Sequence, residues 1–266
     1  MLQISHLFIH PIKSLGGIEI QNAQLTDRGL EHDRRWMLVD EHNQFLTQRT
    51  FPRMALLKTA LKENKLIVFE NDHIEDSLTL DLTPTLGEKL QVDVWDDNCE
   101  AHHISTTADV WFSKKLQRNV KLVYMPDSSR RPVDGKYALQ NDITNFSDGY
   151  PVLIIGQSSL DDLNSRLNET IPMNRFRPNI VFTGGVPYQE DEMKYFKING
   201  LHFYGVKPCG RCVMTTINQE TSIAGKEPLR TLSMYRSANN KVNFGQNLLH
   251  TGIGRIQVGD EIRLIH

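Results

Sequence analysis

The residues best suited to chemistry lie in one short run, Lys207-Pro208-Cys209-Gly210-Arg211-Cys212. Two thiols at C-x-x-C spacing admit several readings. A structural zinc site needs four ligands, but the only other cysteine is Cys99 and no paired histidine motif follows. A thioredoxin-like redox pair would open a helix in a βαβ setting, whereas CVMTTI (212–217) reads as a β-rich run. A bland reading leaves both cysteines without a role, since free cysteine is commonly buried. The fourth reading makes Cys209 a thiolate metal ligand. Lys207 and Arg211 flank it, adjacent cations favour the thiolate, and a thiolate is a soft donor for a higher-valent transition metal. Cys212, beside Val213 and Met214, is expected to pack inward as structure.

A second set of residues suits a phosphorylated ligand. Lys13-Ser14 lies between Pro11 and Gly16-Gly17, in a turn that can expose backbone N–H groups. Arg34 and Arg35 lie in HDRRWMLVD (32–40), and Arg175 and Arg177 in NRFRPNIV (174–181), each just ahead of a strand-like run. Arginine contacts phosphate through two parallel hydrogen bonds and lysine supplies a point charge. Taken singly, each is an ordinary surface charge. Together, loops from both halves of the chain could converge on one cofactor. Asp148 and His250 are possible proton donors, although a lone loop histidine is commonly a solvated side chain.

The elements that must position these residues are mostly strands. KLIVF (65–69), LQVDVW (90–95), VKLVYM (120–125), PVLIIG (151–156) and NIVF (179–182) are apolar or alternating runs of strand length, and the first residues, MLQISHLFIHPIKS, alternate likewise. RIQVGDEIRLI (255–265) predicts a closing hairpin about Gly259-Asp260. Helices are predicted over 106–116, where Ala108, Trp111 and Phe112 share a face, over 158–167, and over 227–236 with Pro228 in its first turn. Many short strands and few helices predict a mainly β fold of barrels with helical decorations, divided near residue 118 into 1–118 and 119–266. The long polar stretch 126–149 is of a kind that is often functional or mobile.

Composition sets outer limits. The chain has 266 residues, enough for one large or two smaller cores, and a formal net charge of −2 that gives no broad footprint for a nucleic acid polymer or an anionic membrane. No apolar run reaches the ~20 residues a bilayer requires, and the N-terminus lacks the pattern of a secretory signal. Three cysteines argue against a disulfide scaffold and for a reducing compartment, here the cytoplasm.

The chain resembles MOSC-domain proteins carrying the MOSC N-terminal β-barrel domain, the group of the bacterial YcbX-type proteins and the mitochondrial amidoxime reducing component. The resemblance is carried by HPIKSLGG (10–17), LTDRGLEHDRRWMLVD (25–40), FLTQRTFPRMALL (45–57), SDGYPVLIIGQSSLDDLNSRL (147–167), NRFRPNIVFTGG (174–185), KPCGRCVMTTIN (207–218), GKEPLRTLSMYR (225–236) and FGQN (244–247). It implies an N-terminal β-barrel-like domain packed on a C-terminal MOSC barrel, with a molybdenum cofactor of the molybdopterin type between them. It further implies that Cys209 adds a sulfur ligand to the metal. Lys13, Ser14 and Arg34 would hold the cofactor from the N-terminal side. Ser147, Asp148 and Gly149 would border it, Arg177 and Asn179 would contact it, and Gly210 and Arg211 would lie close by.

The implied reaction is a two-electron reduction of a small N-hydroxylated substrate, R–NH–OH going to R–NH₂ and water. The chain ends at His266 without the C-x₄-C-x₂-C run of a plant-type ferredoxin. It is therefore expected to hold no iron–sulfur cluster and to draw electrons from a separate flavoprotein or iron–sulfur protein. The membrane-anchoring leader of the mitochondrial members is likewise not expected. MOSC domains also end the cofactor sulfurases, so a non-catalytic cofactor carrier or sulfur-transfer module is the alternative.

Overall fold

The computed structural model describes residues 1–71 and 73–265. Strands dominate, as the alternation predicts. Seven of them close into a barrel. Around it run Val152–Gly156, Ile180–Thr183, Leu2–Ile9, Glu261–Leu264, Tyr195–Ile198, Leu201–Arg211 and Lys241–Thr251, and the last pairs back onto the first. All these pairs are antiparallel except Val152–Gly156 with Ile180–Thr183. A parallel pair needs a crossover, and the helix Gln157–Ser165 supplies it.

The run Val152–Gly156 is apolar throughout because both of its faces are covered. Val152 and Ile154 point into the barrel core with Leu7, Phe182, Phe196 and Phe203. Leu153 and Ile155 point outward beneath Leu160 and Leu163 of the crossover helix.

The other half is an open β structure. Trp36–Val39, Lys121–Tyr124, Asp97–His103 and Lys89–Val94 form one sheet, and Leu57–Lys62, Lys65–Glu70 and His73–Asp81 form another. The helix Thr106–Leu116 starts where predicted because Ser105 accepts a hydrogen bond from the Ala108 N–H. Its buried residues are Ala108, Phe112 and Leu116, with Trp111 only partly covered.

Three expectations change. The C-terminal strands Gly254–Gln257 and Glu261–Leu264 both form, but they do not pair as a hairpin. The first pairs with Asn22–Thr26, the second with Leu2–Ile9 and Tyr195–Ile198. The helix expected over 227–236 shrinks to Leu229–Ser233. CVMTTI is not a strand, since a 3-10 turn occupies Val213–Thr216.

The sheets also cross the cut expected near residue 118. Leu2–Ile9 belongs to the barrel, and Lys121–Tyr124 belongs to the N-terminal sheet. The long stretch 126–149 is tied down by three arginines. Arg28 donates to the carbonyls of Pro126, Asp127 and Ser129, Arg35 to the Asp127 carboxylate, and Arg131 to the carbonyls of Asn145 and Ser147.

Candidate functional site

A cleft with about 760 Å³ of empty space, part of it open to solvent, lies between the two halves. Its walls bring together all the residues that the family resemblance assigns to the site: Lys13, Ser14, Arg34, Ser147, Asp148, Gly149, Arg177, Asn179, Cys209, Gly210 and Arg211. Arg49, Tyr150, Arg175, Cys212, Met214, Thr215 and Asn247 join them.

The N-terminal wall is built where the chain leaves the barrel. After Leu2–Ile9 it turns so that the Lys13 N–H bonds the Trp36 carbonyl at 2.8 Å. Lys13 is almost fully buried, and its Nζ donates to the Phe146 carbonyl at 2.8 Å and to Asp148 Oδ1 at 2.7 Å. Arg34 donates to Asp33 at 2.6 Å, to Asn179 Oδ1 at 3.3 Å and to the Arg177 carbonyl at 3.1 Å. Ser14, Arg34 and Arg177 adopt left-handed backbone conformations with φ of 66°, 47° and 53°. For side-chain-bearing residues each costs on the order of 1 kcal/mol, and such strain collects at functional sites.

The barrel wall is built by two irregularities in Leu201–Arg211. Its register against Lys241–Thr251 shifts between Gly205 and Lys207 and again between Pro208 and Gly210. Bulges re-aim side chains next to sites, and these two bring Cys209 to the cleft, backed by Phe176 and Phe244. Arg211 is fixed by bonds from Nε to the Phe244 carbonyl at 2.7 Å and from Nη1 to the Phe176 carbonyl at 2.9 Å.

Six cationic side chains line the cleft (Lys13, Arg34, Arg49, Arg175, Arg177 and Arg211) against one carboxylate, Asp148. Three guanidinium atoms are buried without a partner among the described residues: Arg175 Nη1, Arg177 Nη2 and Arg211 Nη2. Burial brings Lys13 down to about 8 and Arg177 down to about 9, with Arg34 adding to the fall at Arg177. Desolvation within the cleft acts to raise the Asp148 carboxyl, whose side chain is still 59% exposed, but Lys13 and Arg49 outweigh it and hold it far below the usual range. Unpaired buried donors around an excess of positive charge fit an anionic ligand such as a phosphate.

The thiols depart from expectation. Lys207 does not reach Cys209; its ammonium lies over the rings of Tyr137 and Tyr150, 4.5 and 5.7 Å from their centroids. Burial pushes the Cys209 thiol above its ordinary value, and the pull of Arg211 does not reverse this. A bound metal would have to supply the charge that makes it a thiolate. Cys212 is not packed away either. It faces the cleft, where Arg49 Nε donates to its Sγ at 3.0 Å. Among the described residues no group of three or more His, Cys, Asp or Glu side chains is placed to hold a metal. Cys209 would therefore share a metal with donors that arrive with a ligand.

Other assignments are also refined. Ser147 and Asn179 line the cleft, but their polar groups are engaged. Ser147 bonds Thr144 and the Tyr150 carbonyl, and Asn179 bonds Leu153, Arg34 and the Phe8 carbonyl. Arg35 turns away to Asp127. His250 is neither solvated nor in the cleft; it is buried beside Phe203, and burial lowers it to about 4.

Sequence reasoning missed Arg49. Its guanidinium bonds Cys212 and Asp148, at 3.1 Å for the latter, and lies 4.3 Å from the Trp95 ring centroid. The available signal was its place within FLTQRTFPRMALL.

Residues 1–119 match the MOSC N-terminal beta barrel domain and residues 141–263 match the MOSC domain. Mitochondrial amidoxime-reducing component 1 of Mus musculus is 30% identical over 98% of this chain and 82% of its own length. The chain belongs to the MOSC family. The human form of the same component is 29% identical over the same shares. The molybdenum cofactor sulfurase of Solanum lycopersicum is 31% identical over 97% of this chain, which spans only 35% of that protein. Among solved structures, the YUAD protein of Bacillus subtilis aligns over 98% of this chain and 94% of its own, with 11% identity and a TM-score of 0.45. As a MOSC protein the chain pairs its two domains through shared strands, and the cleft lies where they meet.

Proposed function

We propose that this MOSC protein is a molybdenum-cofactor-dependent reductase of N-hydroxylated compounds, supplied with electrons by a separate protein. One observation carries the reading: three unpaired guanidinium atoms and the Cys209 thiol share one cleft. The cations suit the phosphate of a molybdopterin, and Cys209 suits the one ligand position that the protein must fill. When bound, the cofactor supplies the two-electron chemistry.

The chain's own residues bind and position. Arg211 offers an Nη2 whose Nε and Nη1 are already fixed to backbone carbonyls, and Arg177 an Nη2 beside an Nη1 fixed to the Leu15 carbonyl, so both are preorganised donors. Arg175 adds a third donor at the cleft edge. Phe176 and Phe244, stacked at 4.2 Å, exclude water from behind Cys209. Asp148, ionised against Lys13 and Arg49, accepts hydrogen bonds and does not store a proton.

Protein expressed in a host that makes molybdopterin is expected to copurify with molybdenum and pterin. It should reduce benzamidoxime with an artificial donor. Cys209→Ala should lose both metal and turnover; a Cys209→Ala protein with full metal and activity would remove the ligand assignment. The similarity to the sulfurases favours one rival, a cofactor carrier or sulfur-transfer module. A metal-loaded protein that turns over no N-hydroxylated substrate with any donor would support that rival.

A further inference from the structure

We propose that a groove beside the cleft is the docking face for an acidic electron-transfer protein. This rests on the reductase reading. The reaction R–NH–OH + 2e⁻ + 2H⁺ → R–NH₂ + H₂O consumes two electrons per turnover. The mouth of the cleft must admit the substrate, so a protein donor needs a neighbouring face of its own.

The groove has about 1430 Å³ of empty space, part of it open to solvent, and shares Arg175 with the cleft. The 3-10 turn Val213–Thr216 connects it to the strand that carries Cys209, because Thr216 lines the groove and Thr215 lines the cleft. A partner seated here adjoins the Cys209 side of the site through Arg175 and this turn.

Charge decides the partner's chemistry. Arg166 is committed to Asp162 at 2.9 and 3.0 Å, and Glu227 accepts the Thr231 N–H at 3.0 Å. Lys226 and Arg230 are exposed on the groove wall and have no ion-pair partner among the described residues. The N–H bond leaves Glu227 charged, so the lining sets four cations, Arg166, Arg175, Lys226 and Arg230, against two carboxylates, Glu169 and Glu227. Ile223 and Met234, 69% and 72% exposed, line the same groove. Exposed apolar residues beside an excess of cations suit a protein interface, and the sign of that excess favours an acidic partner.

The test uses the full chain loaded with cofactor, benzamidoxime, and two electron sources: reduced methyl viologen and reduced flavodoxin, an acidic flavoprotein. Flavodoxin binding is also read directly by titration of its flavin fluorescence. The double variant Lys226→Glu/Arg230→Glu should weaken flavodoxin binding and raise its KM about tenfold or more at low salt. Turnover with methyl viologen should not change. Lys226→Gln/Arg230→Gln should fall between, and the differences should shrink at ~0.5 M salt as the charges are screened. Absence of saturable, salt-sensitive flavodoxin binding to the wild type overturns the proposal. So does wild-type binding by the charge-reversed variant, or an equal fall with both electron sources. A wild type inactive with methyl viologen sinks the reductase reading instead, and the binding titration still decides the docking face.

Discussion

Lys13 holds the least settled charge of the cleft. The Lys13 ammonium is buried against the Phe146 carbonyl and Asp148, and burial brings it from its ordinary 10.5 to about 8. Between those values the unfolded chain binds more protons than the folded one, so stability rises with pH across that window. The ligand-free protein should gain stability relative to Lys13→Met between pH 7.5 and 10, by up to ~3 kcal/mol, read from urea unfolding. A difference that stays flat with pH would show that Lys13 keeps its ordinary value. Asp148 makes a second prediction. Its carboxylate occupies the two cations, Lys13 and Arg49, that an anionic ligand would use. Asp148→Asn should therefore bind inorganic pyrophosphate several-fold more tightly in calorimetric titration. Weaker binding would mean that the carboxylate belongs to the recognition surface and is not its competitor.

At the scale of elements, the strand Lys241–Thr251 controls the site from behind. Phe244 stacks on Phe176 and its carbonyl holds Arg211, while Gly245 takes a left-handed φ of 81° that glycine adopts without strain. A Cβ on Gly245 would stand 2.7 Å from Ile155, 3.0 Å from the Ile154 carbonyl and 3.3 Å from Arg211 Nη2. Gly245→Ala should cost on the order of 1–3 kcal/mol in urea unfolding and lower the molybdenum content, since it displaces an anion-facing guanidinium. Normal stability and metal content would sink this account of the FGQN segment.

Most strands were legible because a two-residue period or a short apolar run identifies them. Their partners were not. Gly259, at φ 93°, marks where the chain turns and says nothing about which strand lies alongside, so a hairpin was inferred where the two strands join different sheets. Cys212 does not pack inward because its apolar neighbours mark no buried strand face: a 3-10 turn begins at Val213, which is itself 55% exposed. Arg49 escaped because convergence over 163 residues on Cys212 leaves no trace in local spacing. The residues matched through the family resemblance do share one cleft, yet the resemblance could not reveal that Ser147 and Asn179 spend their polar groups inside the protein.

The whole molecule is knitted across its two halves. Leu2–Ile9 fills the barrel position between Ile180–Thr183 and Glu261–Leu264, and Lys121–Tyr124 lies between two strands of the N-terminal sheet. Gly254–Gln257 pairs back onto Asn22–Thr26. Removing either half would open the barrel or split the sheet, and would expose paired backbone groups and core side chains together. Neither half should then unfold alone. Trp36, Trp95 and Trp111 all precede residue 118, so tryptophan fluorescence reports the N-terminal half, whereas far-ultraviolet circular dichroism reports both. In urea the two signals should trace one coincident transition, the signature of a single cooperative unit. Fluorescence changing at a clearly different urea concentration from dichroism would show two separable domains, and the cleft would then be a joint between them and not a preorganised site.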